Sequence, residues 1–196
     1  MLRIVVLVSG GGSNLQAILD AIDSGKLDSV TVELVISSSR EAYALKRAEN
    51  RGIPTMVIDG RDWPGPRERD GRLLEVLDEW NPDLIVLAGY MKILPKSIVG
   101  RFPRRIINIH PSLIPEFCGE GFYGMRVHRA VLESGEQVSG ATVHYVDEGV
   151  DTGEILLQEQ VPVLRGDTPE SLAARVLETE HRILPEVLSR LSREIK

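Results

Sequence analysis

Short Val- and Ile-rich runs alternate along this chain with stretches whose apolar residues recur every three or four positions. "RIVVLVSG" reads as a buried first strand. In the following "LQAILDAI", Leu15, Ile18, Leu19 and Ile22 fall at i, i+3, i+4 and i+7, the spacing of one helix face. "VTVELVIS" is a second strand, followed by a helix near 42–51 that Gly52 closes. "PTMVID" is a short third strand, and 69–80 is a helix with Leu73, Leu74 and Leu77 inward. "DLIVLAG" and "RIINIH" supply the fourth and fifth strands. Strands that alternate with helices in this way predict βα units on a largely parallel sheet.

Beyond His110 the pattern changes. "SGATVHYV" alternates apolar and polar positions, and "GEILLQEQVPV" follows after a short loop, so the two are expected as an antiparallel pair at one sheet edge. A long helix closes the chain, with Thr168 as its cap and Pro169 in its first position. Pro185 is expected to kink or end that helix. The loop from Pro111 to Gly124 is long enough to need a reason. The fold class is therefore α/β: three α/β/α layers around a mostly parallel, Rossmann-like sheet with an antiparallel C-terminal strand pair and a long C-terminal helix.

Composition narrows the function more than the fold. A length of 196 residues without repeat, low-complexity segment or linker is read as a single domain over 1–196. The longest apolar runs, such as "IVVLV", fall well short of the roughly 20 residues needed to span a bilayer. The first apolar run leads straight into a Gly-rich loop without a small-residue cleavage site, so no signal peptide is expected. A lone cysteine, Cys118, agrees with a reducing, cytoplasmic setting. The net charge of −6 argues against a general nucleic-acid partner.

Four segments carry candidate chemistry. "SGGGSN", Ser9 to Asn14, stands between the first strand and the first helix, where free N–H groups and the helix dipole suit a phosphate. A dinucleotide loop would need glycine at position 15, where Leu15 stands, and an acid after the second strand, where serines and Arg40 stand. No lysine follows the glycines, so a P-loop also fails. A monophosphate site is the better reading, with a plain tight turn as the alternative. In "IINIH", strand alternation puts Asn108 and His110 on one face at the strand's C-terminal end, where open α/β sheets bind ligands. An amide donor beside an imidazole is a poor core and a good site. "DEGVDTG", Asp147 to Gly153, brings carboxylates near that edge, and Asp151 is the candidate partner that would raise the pKa of His110 and keep it protonated. Asp147 and Glu148 alone would pass as turn residues, and the acid spacing does not make a calcium loop. On the last helix Glu180 falls within the apolar face, and a buried acid needs a partner, either a structural arginine or a substrate amine. His128, His144 and His181 are read as structural, and Cys118 lacks a neighbouring base.

Taken together, "VLVSGGGSNLQA", "VLAGYMKIL", "NIHPSLIP", "GATVHYVDEGVDTGEI" and "ETEHRILP" resemble the glycinamide ribonucleotide formyltransferases of purine biosynthesis, from Leu2 to about Leu188. The glycine-rich start separates the chain from methionyl-tRNA formyltransferases, which share the "HPSLLP"-type segment. The resemblance implies transfer of a formyl group from 10-formyltetrahydrofolate, a co-substrate, to the amine of glycinamide ribonucleotide, without a metal. It implies a catalytic trio of Asn108, His110 and Asp151, and ribonucleotide contacts at Gly12, Ser13, Asn14 and Glu180. It implies folate contacts at Arg67, at Met91, Lys92, Ile93 and Leu94, at Asn108, and at Asp147, Glu148, Gly149, Val150 and Asp151. A phosphate-binding half over about 1–100 and a folate and catalytic half over about 101–196 follow, in a monomer or homodimer with no membrane partner. Two departures stand out: Lys92 replaces the arginine of many relatives and loses its planar fork, and "EFCGEGFYGMRVH" is longer than the corresponding loop in many of them. The competing readings are a formyltransferase for another amine, such as an amino sugar nucleotide, and a nucleotide-binding module without chemistry.

Overall fold

The structure, a computed structural model, describes residues 1–194. Seven strands form one sheet: β1 (Leu2–Val8), β2 (Val30–Ser37), β3 (Thr55–Val57), β4 (Leu84–Leu87), β5 (Ile106–His110), β6 (Val138–Tyr145) and β7 (Ile155–Pro162). Their order is β3-β2-β1-β4-β5-β6-β7. The pairings from β3 to β5 are parallel, and those of β5 with β6 and β6 with β7 are antiparallel. The expected edge pair is thus present. The strand order reverses between β1 and β4, which opens a crevice at their carboxyl ends.

Alternation along β1 builds both cores. Leu2, Ile4, Val6 and Val8 face the layer of α1 (Ser13–Asp23), α2 (Tyr43–Glu49), α5 (Met125–Ser134) and α6 (Pro169–Glu194). Val5 and Leu7 face α3 (Pro66–Trp80) and α4 (Lys96–Arg101). Each face is covered, which explains why the central strands read as continuous apolar runs.

Several boundaries differ from the sequence expectation. The helix expected from position 69 begins at Pro66: proline suits the first helical position, and Gly65 N–H is met by the Glu68 carboxylate at 3.1 Å. The helices α4 and α5 were not foreseen; α4 has six residues with a glycine inside, and α5 is hidden behind the long loop. Thr168 caps α6 as expected, its Oγ1 accepting from Ser171 N at 3.2 Å. Pro185 does not end that helix, which continues to Glu194. A proline inside a helix costs ~3 kcal/mol. The flanking Ile183, Leu184, Val187 and Leu188 are all buried, and each contributes about 1.5–3 kcal/mol by leaving water. Packing therefore outweighs the missing hydrogen bond. No helix among the described residues is long and apolar enough to cross a membrane.

Candidate functional site

The glycine loop after β1 is braced from behind. Gly10 O accepts from Ala44 N at 3.1 Å, and Gly11 O accepts from Arg47 Nε at 2.8 Å. These bonds tie the loop's carbonyls to α2. Gly12 caps α1 with φ +71°, and a Cβ there would lie 2.5 Å from Ala44 Cβ, so only glycine fits. No side chain caps α1, and its first turn holds no acid, which leaves its N–H groups open to an anion. Ser9 Oγ accepts from Met91 N at 2.8 Å and couples this loop to the one after β4.

At the end of β5 the expected trio comes together. Asn108 Nδ2 donates to Asp151 Oδ1 at 3.3 Å, and His110 Nδ1 lies 3.6 Å from Asp151 Oδ2. Asp151 sits at φ +57° in the turn between β6 and β7 and also accepts from Gly119 N at 3.0 Å. A fourth member was read from the sequence as structural. His144 pairs directly with Asn108 across the antiparallel β5/β6 ladder. Its Nδ1 meets Tyr145 O at 2.8 Å, and its Nε2 faces Asn108 Nδ2 at 3.2 Å and Asp151 Oδ1 at 3.5 Å. The signal that would have found it is strand parity: "NIH" and "TVHY" place polar groups on one face only once their register is known.

Electrostatics correct one expectation. His110 is 4% exposed, and burial pushes its pKa below the ordinary value, although Asp151 and the Phe117 carbonyl draw it back up. Asp151 raises the His110 pKa in the expected direction, but desolvation is larger, so the net shift is downward rather than upward. For Asp151 the balance tips the other way. Burial alone would raise it, but the His144 contact, the His110 ring and the Gly119 N–H together hold the carboxyl below its usual range. Both groups of the pair are thus held below their ordinary values.

A cavity of ≈ 750 Å³ connects these parts. Ser13 and Asn14 from the start of α1 line it together with Asn108, His110 and Asp151. Glu180 reaches the cavity from α6, 7% exposed, and accepts from Asn14 Nδ2 at 2.6 Å. Burial pushes its pKa up to about 7, against the pull of Asn14. Its partner in the chain is therefore an amide, not an arginine. Met91, Lys92, Ile93 and Leu94 also line the cavity, as do Asp147, Gly149 and Val150. Asp147 is also a turn residue, its Oδ1 accepting from Gly149 N and Thr152 Oγ1.

Three expected residues stand off the cavity wall. Gly12 serves the α2 contact, Glu148 pairs with Lys96 at 2.8 Å, and Arg67 is exposed in the first turn of α3. The long loop has a reason. Thr142 Oγ1 donates to Ser112 O at 2.7 Å and Gln158 Nε2 to Ile114 O at 3.0 Å, pinning its first half to β6 and β7. Phe117 O then meets His110 Nε2 at 2.9 Å, and Glu120, Phe122 and Tyr123 line the cavity. His128, read from the sequence as structural, also lines it, as do Tyr90 and the α6 residues Ala173, Ala174 and Leu177, to which the sequence reading gave no role. Among the described residues, no group of three or more His, Cys, Asp or Glu is placed to hold a metal ion.

The chain is also similar to known proteins over almost its whole length. The chain is 42% identical over 193 residues to a chloroplastic phosphoribosylglycinamide formyltransferase of Arabidopsis thaliana, covering 98% of this chain and 66% of that protein. It is 40% identical to the phosphoribosylglycinamide formyltransferase of Escherichia coli (strain K12), covering 96% and 86%. The chain spans less than two thirds of the length of the plant relatives it matches. Glycinamide ribonucleotide transformylase 1 from Symbiobacterium toebii superposes with a TM-score of 0.91 at 44% identity, covering 99% of this chain and 89% of that one. A profile described as "Formyl transferase" matches residues 2–188. That match encloses every residue of the cavity, from Ser13 to Glu180, and the chain belongs to the formyl transferase family.

Proposed function

We propose that this chain transfers the formyl group of 10-formyltetrahydrofolate to the amine of glycinamide ribonucleotide, giving formylglycinamide ribonucleotide and tetrahydrofolate. The observation that carries this reading is the single cavity that joins a phosphate-ready helix terminus at Ser13–Asn14 to the Asn108, His110 and Asp151 cluster. A phosphate held at one end places an amine on the same molecule near the other. The names of the relatives support the choice of amine and donor.

In this reading Gly12, Ser13 and Asn14 shape the phosphate end, and Glu180 takes up the middle of the ribonucleotide. The folate donor lies along Met91 to Leu94 and the Asp147 to Asp151 turn, with Arg67 and Glu148 reaching it only from outside the cavity wall. Attack by the amine nitrogen on the formyl carbon moves the carbonyl electrons onto oxygen, and donors aimed at that oxygen lower the barrier. Asn108 Nδ2 supplies one. His110 supplies the other by turning its N–H from Phe117 O to the substrate, since a neutral imidazole can polarise a carbonyl. Ionised Asp151 takes a proton from the attacking nitrogen through a water and returns it to the departing folate nitrogen as the carbon–nitrogen bond breaks. No step needs a metal. The cytoplasm, or an organelle as in the chloroplastic relatives, would supply both substrates.

The test is an absorbance assay of folate-donor deformylation with and without glycinamide ribonucleotide. Loss of the formyl group that depends on the ribonucleotide supports the reading. No loss, or equal loss when an amino sugar nucleotide replaces it, overturns it.

A further inference from the structure

His128 is a buried polar side chain that the reaction, as derived above, does not use. It projects from α5, is 4% exposed, and its Nδ1 has no hydrogen-bond partner. Buried polar groups in folded proteins are nearly always paired, so an unpaired one needs an explanation. Desolvation, with a smaller effect from nearby His110, lowers its pKa to about 4, so the ring is neutral and can both donate and accept. The ring also lines the cavity, on the wall where α5 packs against α6.

That wall is otherwise short of hydrogen-bonding side chains. Its α5 and α6 lining residues are Met125, His128, Ala173, Ala174, Leu177 and Glu180, so among the described residues only His128 and Glu180 are polar there. A ribonucleotide stretched from Ser13–Asn14 to His110 must pass this wall with its ribose hydroxyls and its amide. Leaving those groups against alanine and leucine would forfeit their water hydrogen bonds without replacement. We propose that His128 is a ribonucleotide-binding residue, hydrogen-bonding the ribose–glycinamide portion of the substrate on the α5/α6 wall. The proposal rests on the formyltransferase reading above.

The test compares His128→Phe, which keeps a ring of similar size and removes both nitrogens, with His128→Gln, which keeps a donor and an acceptor. Expected is a rise of about tenfold in KM for glycinamide ribonucleotide in His128→Phe, with KM for the folate donor within about twofold of wild type and partial rescue in His128→Gln. In parallel, the imidazole nitrogen signals of His128 in ¹⁵N-histidine-labelled wild type are followed while glycinamide ribonucleotide is added without folate. These signals are expected to shift with saturation. An unchanged ribonucleotide KM in a well-folded His128→Phe, or equal rises in both KM values, overturns the proposal. If His128→Phe does not fold, the wild-type titration decides: unmoved His128 signals at saturating ribonucleotide overturn it. Wild-type protein that forms no formylated product would instead remove the underlying reading, a result distinct from active wild type with an indifferent His128.

Discussion

Two carboxylates, Asp151 beside His110 and Glu180 on α6, are both largely withdrawn from water, yet their pKa values are shifted in opposite directions. Asp151 accepts from Asn108 Nδ2 and the Gly119 N–H and lies beside the His110 and His144 rings, and together these outweigh its burial and hold it below the usual carboxylate range. Glu180 has one partner, the amide of Asn14, and burial wins, raising it from near 4.5 to about 7. The difference is a matter of how many donors meet each carboxylate. In the proposed reaction this division supplies one base, Asp151, and one group, Glu180, whose pairing the ribonucleotide would complete.

The largest test of this contrast removes the transfer side. His110→Ala or Asn108→Ala is expected to lower turnover on the order of a hundredfold or more, ~3 kcal/mol of barrier for one lost donor, with circular dichroism unchanged. Turnover equal to wild type would break the contrast at its functional end. Next comes Glu180→Gln. Because the folded pKa is raised, the stability tied to this group is complete below about pH 4.5 and is lost as pH rises toward 7. Replacing it with a neutral amide should therefore stabilise the protein at pH 8 by about 3 kcal/mol, the equivalent of the pKa shift. The gain should vanish at pH 4, and the ribonucleotide should bind more weakly to the variant. Denaturant unfolding at both pH values reads the first effect. A gain that is the same at both would mean burial of the charge is not its source.

Smaller in expected effect is Gly12→Ala, which forces a Cβ against Ala44 at a φ of +71°. A loss of about 1–3 kcal/mol is expected, with a weakened ribonucleotide site and little change at the folate rim. The smallest is a titration. Asp151 raises the His110 pKa against the dominant effect of burial, so Asp151→Asn should lower it further, seen as a downward shift in the NMR titration of that ring. An unmoved midpoint would separate the two side chains electrostatically.

How much of this was legible in the sequence depended on range. Leu15, Ile18, Leu19 and Ile22 lie within one helix, so their spacing announced α1, and the parity of Asn108 and His110 announced their shared face. His144 was missed because its role depends on the register between β5 and β6, a relation between distant segments. The helix α5 was missed for lack of any boundary signal after a long glycine-rich loop. The sign of Asp151's effect on His110 was readable from residue types. The net direction was not, since burial is a property of the assembled site.

The left-handed backbone at Asp151 has a consequence for any attempt to harden this protein against heat. Glycine, and to a lesser degree asparagine, adopts that conformation more comfortably than aspartate. Selection for thermal resistance alone would push position 151 toward one of them, and the same step would erase the charge the chemistry relies on.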